Sequence, residues 1–269
     1  MTNVLNIAHR GARSLAPENT LAAARAALDQ GADMWELDVG VTADGELIVI
    51  HDDSLVRTTD AKSRFPGRDP WHIFDFTLAE IKTLDAGSFF VETDPFGQIA
   101  AGAVSPAAQA AMRGEPVPTL EEALRFTKDH QWRVNVEIKT LPPALASFPV
   151  VEKVLDLLNR LDLVEPVLLS SFFHPFLQQA KKLNPALATA ALLYRPHPDP
   201  LKLVTELDCQ AFHPYNEIIT PEQIGQFRLA GIDVNVWTVN DEAEMKALIQ
   251  AGVTGLITDF PQRLKTLEG

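Results

Sequence analysis

Short apolar runs and longer amphipathic stretches alternate along most of the chain. Apolar runs of strand length that end in polar or turn-forming residues are typical of buried strands. They predict strands at residues 4–8, 34–41, 47–50, 133–139, 167–171, 187–193, 210–213, 233–237 and 255–258. Between them, apolar residues at helical spacing predict helices at residues 21–30, 120–129, 150–160, 175–183, 201–207, 221–230, 241–251 and 261–267.

One of the nine predicted strands belongs to a hairpin. Asp44-Gly45 is a strong hairpin signal, so residues 47–50 are expected to return antiparallel to residues 34–41. The other eight strands each have a helix, which is the pattern of a parallel sheet built from βα units. The sequence therefore predicts an α/β fold, a (β/α)₈ TIM barrel, as a single domain over residues 1–269.

The regular pattern weakens between residues 52 and 118. Asp69-Pro70, Asp94-Pro95 and Ser105-Pro106 interrupt it, while Thr77 and Glu80 form a predicted capping box at the start of a short helix. The segment contains too many apolar residues for a disordered linker. We expect a small inserted subdomain, after the second-strand hairpin, that packs over one end of the barrel.

The composition of the chain limits which binding partners and which compartment are expected. The 36 acidic and 23 basic residues give a net charge of −13, which argues against nucleic acid or an anionic membrane as the main partner. The only cysteine, Cys209, excludes an internal disulfide and is expected to be buried. The N-terminal residues read as a strand rather than a signal peptide, and no apolar run has membrane-spanning length. We expect a cytoplasmic protein; the sequence leaves its oligomeric state open.

The predicted second strand contains acidic residues at two positions. Glu36 and Asp38 are two apart, so both carboxylates point to one face while Trp35, Leu37 and Val39 take the other. Buried like charges repel unless a cation lies between them. A solvated edge strand is the alternative explanation.

More polar residues follow at the ends of the predicted strands, where barrel enzymes carry their active sites. These are His9, Arg10, His51, Glu137 and Lys139. With Glu36 and Asp38, Glu137 completes three carboxylates, which favour one hard divalent cation such as Mg²⁺ or Ca²⁺. A cation with Arg10 and Lys139 suits a phosphate, and two histidines suit acid–base chemistry near neutral pH. The residues together predict phosphodiester cleavage.

Three aromatic or histidine side chains near these strand ends are weaker candidates. Phe172 and Phe173 either line the pocket or pack in the core, and His213 is a further candidate for lining it.

The motifs occur in an order that resembles the glycerophosphodiester phosphodiesterase family, which is similar to the phosphatidylinositol phospholipase C barrels. They are His9-Arg10-Gly11, Pro17-Glu18-Asn19-Thr20, Glu36-Leu37-Asp38-Val39, His51-Asp52, Arg57-Thr58-Thr59, Val136-Glu137-Ile138-Lys139, Ser171-Phe172, Val236-Trp237-Thr238-Val239-Asn240 and Ile257-Thr258-Asp259. The resemblance implies a metal-dependent hydrolase on a (β/α)₈ barrel that releases glycerol 3-phosphate and an alcohol from deacylated phospholipids.

The resemblance also implies roles for individual residues. Glu36, Asp38 and Glu137 would be the metal ligands, and His9 and His51 the general acid and base in either order. Arg10 and Lys139 would hold the phosphate, and Trp237 would form a wall of the glycerol pocket. Residues 89–115 lack an obvious match to the family and are expected to roof the mouth.

Two other functions remain open from the sequence. A lysophospholipase D-like enzyme would need an apolar groove for an acyl chain, which aromatic residues between Phe65 and Phe96 could supply unless they form a small core. A non-catalytic barrel that binds a phosphorylated ligand would not need both histidines and all three carboxylates.

Overall fold

The described part of the chain folds around a closed parallel barrel. The computed structural model describes residues 4–267 and places nine strands in them: β1 (Leu5–Ala8), β2 (Met34–Val41), β3 (Leu47–Val49), β4 (Arg133–Ile138), β5 (Val167–Ser171), β6 (Ala188–Leu193), β7 (Ala211–Pro214), β8 (Asp233–Val236) and β9 (Gly255–Thr258). Eight strands run parallel in the order β1-β9-β8-β7-β6-β5-β4-β2, and β1 pairs with β2 to close the barrel. β3 is antiparallel to β2, as the Asp44-Gly45 pair predicts. The predicted (β/α)₈ barrel is confirmed.

Helices connect the strands. Among residues 4–267 they are α1 (Leu21–Asp29), α2 (Ala61–Arg64), α3 (Leu78–Ile81), α4 (Ser88–Thr93), α5 (Pro106–Met112), α6 (Leu120–Asp129), α7 (Val150–Leu161), α8 (His174–Leu183), α9 (Pro200–Glu206), α10 (Pro221–Leu229), α11 (Glu242–Ala251) and α12 (Pro261–Leu267), with 3₁₀ turns at Ile73–Asp75, Pro143–Leu145 and Asn216–Ile218. The barrel helices begin and end within one residue of the sequence prediction. Side-chain caps fix the first turns of α1, α6, α9, α10 and α11.

Threonine caps illustrate how the sequence sets these boundaries. Thr20 caps α1 by accepting the Ala23 N–H, and Thr77 forms the predicted capping box with Glu80 at the start of α3. Each cap satisfies backbone N–H groups that have no partner inside the helix.

The alternation of β2 decides which side chains enter the barrel. Trp35, Leu37 and Val39 belong to the main apolar core, with residues of the surrounding helices. Trp35 stacks on Trp132 at a centroid distance of 6.2 Å and donates to Thr127 Oγ1 at 2.9 Å. Because successive residues face opposite sides, burial of these side chains turns Glu36 and Asp38 into the barrel.

Residues 52–118 contain α2 to α5 and contribute most of the side chains of two further apolar clusters. One cluster surrounds the fully buried Phe76. In the other, Phe90 and Met112 pack on Ala23 near the start of α1. Gly87 is required at this contact, because a Cβ there would lie 1.7 Å from the Met112 carbonyl oxygen. The aromatic residues of the segment therefore serve mainly as a small core.

Candidate active site

Three buried carboxylates meet inside the barrel at the carboxyl end of two neighbouring strands. Asp38 on β2 is paired in register with Glu137 on β4, and Glu36 with Asn135. One carboxylate oxygen from each of Glu36, Asp38 and Glu137 lies within 4.8 Å of the others. All three residues are at most 9% exposed. This arrangement can hold a cation through three oxygen ligands.

The charges of these carboxylates oppose one another in the absence of a cation. Burial, followed by the charges of Asp38 and Glu137, raises the pKa of Glu36 well above its usual range. Burial and the charge of Asp38 likewise raise the pKa of Glu137 to about 8. Burial would also raise the pKa of Asp38, but the charge of Arg10 and other neighbours outweighs it and keeps that pKa low.

The donor set fits a hard divalent cation. Carboxylate oxygens are the preferred ligands of such ions. A bound cation would relieve the repulsion that raises the pKa values of Glu36 and Glu137. The Lys139 ammonium lies 4.0 Å from both Asp38 and Glu137, so it adds positive charge at the edge of the cluster without displacing a ligand oxygen.

A tight turn after β1 attaches Arg10 to the cluster. Arg10 and Gly11 both have positive φ angles, 54° and 79°. A side chain at position 11 would also collide with the backbone of Ala23 at 2.6 Å, which explains the glycine. The turn lets the Arg10 backbone N–H donate to Glu36 Oε2 at 2.8 Å, and the Arg10 Nε lies 3.3 Å from Asp38. The guanidinium is thereby held beside the carboxylates.

Each candidate histidine is oriented by its own aspartate. The Nδ1 atom of His9 lies 2.7 Å from Asp259, and the Nδ1 atom of His51 lies 2.7 Å from Asp52. When Nδ1–H donates to the carboxylate, Nε2 of each ring is left to exchange a proton with a substrate. Burial and the charge of Arg10 lower the pKa of His9, against the opposing effect of Asp259.

A cavity of about 190 Å³ opens beside the carboxylates. The residues that line it are His9, Arg10, Glu36, His51, Asn135, Glu137, Lys139, Phe172, Leu192, Trp237 and Ile257. With Asp38 in the carboxylate cluster, all eight residues that the sequence analysis singled out for metal, substrate or catalysis lie at this one mouth. A larger groove of about 530 Å³ lies elsewhere, and the ion pairs of Glu121 with Arg125 and Arg160 line it.

The three weaker candidates differ in their position relative to the cavity. Phe172 lines the cavity and packs edge-on against Trp237 at 5.4 Å, whereas Phe173 is 41% exposed and packs on Phe176. His213 does not line the cavity: it is fully buried, and its Nε2 lies 3.0 Å from the Asn235 amide.

The inserted segment does not roof this cavity. Among the lining residues, all within the described range, none comes from residues 89–115. That stretch packs sideways on Ala16 and Ala23 at the start of α1 instead. The expectation of a roof is wrong because burial of Phe90 and Met112 holds the stretch against the start of α1 and the loop before it.

Sequence reasoning missed the two residues that support the cluster from the loop before α1. Asn19 has a positive φ of 57° and donates to Asp38 Oδ2 at 2.8 Å. Glu18 is 7% exposed and accepts hydrogen bonds from Arg10, Arg13 and Arg57. Their motif was visible in the sequence, but the contacts depend on how the loop folds back over the mouth.

Comparison with known proteins points to one family. The model of the Glycerophosphoryl diester phosphodiesterase family matches residues 9–263. A relative from Caldanaerobacter subterraneus, named glycerophosphodiester phosphodiesterase, is 35% identical over 264 residues, covering 98% of this chain and 97% of the relative. One of the same name from Bacillus altitudinis is 33% identical over 261 residues, covering 95% and 94%. A solved Oleispira antarctica phosphodiesterase, in complex with the product sn-glycerol-3-phosphate, has a TM-score of 0.82 at 29% identity, covering 100% of this chain and 98% of that one.

Proposed function

This chain belongs to the glycerophosphoryl diester phosphodiesterase family, and from that premise we propose how its barrel mouth performs the reaction. The protein is a phosphoric diester hydrolase that splits glycerophosphodiesters into glycerol 3-phosphate and an alcohol. One observation supports the residue assignments: the cluster of three carboxylates lies at the same mouth as two imidazoles, each hydrogen-bonded to an aspartate.

Glu36, Asp38 and Glu137 would hold one divalent cation, which we propose to be Mg²⁺ or Ca²⁺ because both prefer carboxylate oxygens. When bound, such a cation stabilises negative charge on the phosphate in the transition state.

Arg10 and Lys139 bind the phosphate of the substrate. Both side chains line the cavity and carry positive charge beside the carboxylates. Trp237 forms a wall for the glycerol moiety, since its indole also lines the cavity and its Nε1 is fixed by donating to the His213 carbonyl at 2.8 Å. A small, mostly preformed site of this kind suits a small-molecule substrate.

His9 and His51 move the protons. One imidazole takes a proton from the attacking oxygen, either of water or of the neighbouring glycerol hydroxyl, as that oxygen bonds to phosphorus. The other imidazole donates its proton to the oxygen of the leaving alcohol as the second phosphorus–oxygen bond breaks. On the hydroxyl route a cyclic phosphate forms first and is then hydrolysed by water with the two roles exchanged. Asp259 and Asp52 stabilise whichever ring carries the positive charge.

A lysophospholipase D-like activity is less compatible with this site. It needs an apolar groove for an acyl chain, whereas Phe76 and Phe90 of residues 52–118 are at most 1% exposed.

The net charge of −13 disfavours nucleic acid as a partner. No helix among residues 4–267 is long and apolar enough to span a membrane. We propose the cytoplasm as its compartment, since its single buried thiol suits a reducing environment.

Release of glycerol 3-phosphate from the glycerophosphodiesters, and of choline from lysophosphatidylcholine, tests the proposal directly. Metal-depleted protein is assayed with glycerophosphocholine, glycerophosphoethanolamine and lysophosphatidylcholine, before and after addition of Mg²⁺ or Ca²⁺. We expect turnover of the two glycerophosphodiesters only when the cation is present. Equal turnover in a chelator would refute the metal assignment, and faster cleavage of lysophosphatidylcholine would favour the alternative activity.

A further inference from the structure

One buried carboxylate outside the metal cluster contacts three guanidinium groups. Glu18 Oε1 accepts from Arg10 Nη1 at 2.9 Å and from Arg57 Nη2 at 2.7 Å. Its Oε2 accepts from Arg13 Nη2 at 2.7 Å and from Arg57 Nη1 at 2.9 Å. Burial alone would raise the pKa of Glu18, but the bonds and charges of these arginines outweigh it and hold the pKa far below its usual range.

Two of those arginines contact the aspartates that hold the two histidines. Arg57 also donates from Nε to Asp52 at 2.6 Å, and Asp52 holds His51. Arg13 lies 3.5 Å from Asp259, which holds His9. The third arginine, Arg10, reaches the cluster at Asp38. Glu18 is therefore the common partner of three chains of contacts that end at each imidazole and at the phosphate-binding guanidinium.

The inserted segment supplies parts of this network from two places. Asp52 and Arg57 come from its first residues. Phe96, from its second half, lies under the Arg13 guanidinium at 5.2 Å and packs edge-on against Phe260, the neighbour of Asp259, at 5.6 Å. Residues 52–118 thus touch the contacts of both histidines while lying beside the cavity.

We propose that Glu18 is a positioning residue that holds both histidine–aspartate pairs and Arg10 in their working orientation, and that the inserted segment braces the mouth through Arg57 and Phe96. This proposal rests on the proposed function, because that function gives the two histidines and Arg10 the roles for which their orientation matters. A single carboxylate can align three planar guanidiniums because each presents several donors in a fixed fork. Glutamine at position 18 would lose the charge and present an amide N–H₂ to one of the arginines.

We call the three chains of contacts that lead from Glu18 to His9, His51 and Arg10 the arms of the network. Two variants separate these arms, and a third variant controls for the general loss of an ion pair. Glu18→Gln disturbs all three arms. Arg57→Lys keeps the charge, but one ammonium cannot replace a fork that joins Glu18 and Asp52, so it disturbs only the His51 arm. Glu121→Gln is the matched control, because Glu121 also joins two arginines, Arg125 and Arg160, but lies outside the mouth.

Steady-state kinetics give the first readout. Removing an outer partner of a functional side chain typically lowers activity about 10- to 100-fold. We expect Arg57→Lys to lower kcat by about 10-fold with little change in KM. For Glu18→Gln we expect a fall in kcat of about 100-fold together with a raised KM, since Arg10 is also released. Glu121→Gln should match the wild type in both constants. Wild-type kcat and KM in Glu18→Gln, or the same loss in Glu121→Gln, would overturn the proposal.

Proton NMR gives a second readout that needs no turnover. An imidazole N–H that bonds a carboxylate at 2.7 Å resonates downfield of the amide protons, and His9→Gln and His51→Gln assign the two signals. We expect Arg57→Lys to shift or broaden the His51 signal alone, and Glu18→Gln to affect both. Unchanged signals in a folded Glu18→Gln protein would refute the positioning role. Absence of wild-type turnover would refute the proposed function instead, while these signals would still test the network.

Discussion

Replacing Glu137 by glutamine should separate cation binding from folding. Glutamine has nearly the same shape, and burial with the charge of Asp38 raises the pKa of Glu137 to about 8, so the cation-free protein at pH 7 carries this carboxyl mostly protonated. The side chain's one ion pair recorded among the described residues is the 4.0 Å contact with Lys139. The variant should therefore fold with a thermal midpoint close to that of the wild type in a chelator.

The expected difference with cation follows from the geometry, because the variant keeps only two of the three carboxylates that lie within 4.8 Å of one another. A divalent ion at 100 times its dissociation constant stabilises the folded state by about 2.7 kcal/mol. With an unfolding entropy of about 2.1 cal/mol/K per residue, 269 residues convert this into a Tm increase of about 5 °C.

The variant should show little of that increase. If loss of one ligand weakens binding about 100-fold, the same cation concentration stabilises by only about 0.4 kcal/mol, a shift below about 1 °C. Differential scanning calorimetry of chelator-treated protein measures this, with added Mg²⁺ or Ca²⁺ and with KCl at equal ionic strength as the salt control. Glu121→Gln should keep the full shift. An equal shift in Glu137→Gln and wild type would remove Glu137 from the cation site.

Three further outcomes are expected. Changing His9 or His51 to alanine should lower kcat for glycerophosphocholine at least about 100-fold, and near-normal turnover would exclude that residue from proton transfer. Trp237→Ala should lower kcat/KM about 10-fold through lost contact with the glycerol moiety, while a smaller change than twofold would speak against the pocket wall. Burial lowers the pKa of His213 to about 3 from 6.5, so the unfolded chain binds its proton first and stability falls as pH drops below 6.5. Urea unfolding should then show the wild type losing about 2 kcal/mol more than His213→Gln between pH 7 and pH 5, and parallel losses would contradict this.

The sequence alone was sufficient for the elements of the barrel and for the main groups of its site. Strand alternation on β2 puts Glu36 and Asp38 on one face, and the Asp44-Gly45 turn specifies β3, because both signals are local in the chain. Parallel strands with their helices then bring strand ends to one mouth, whatever the details of packing.

Tertiary structure alone decided which groups support that mouth. Glu18 lies 39 positions before Arg57, and His9 lies 250 positions before its partner Asp259. No local pattern states that such residues will touch, because the contact depends on how loops from β1, the inserted segment and β9 pack together. The same holds for residues 89–115, whose burial against α1 rather than over the cavity follows from complementary apolar surfaces that exist only after the barrel has closed.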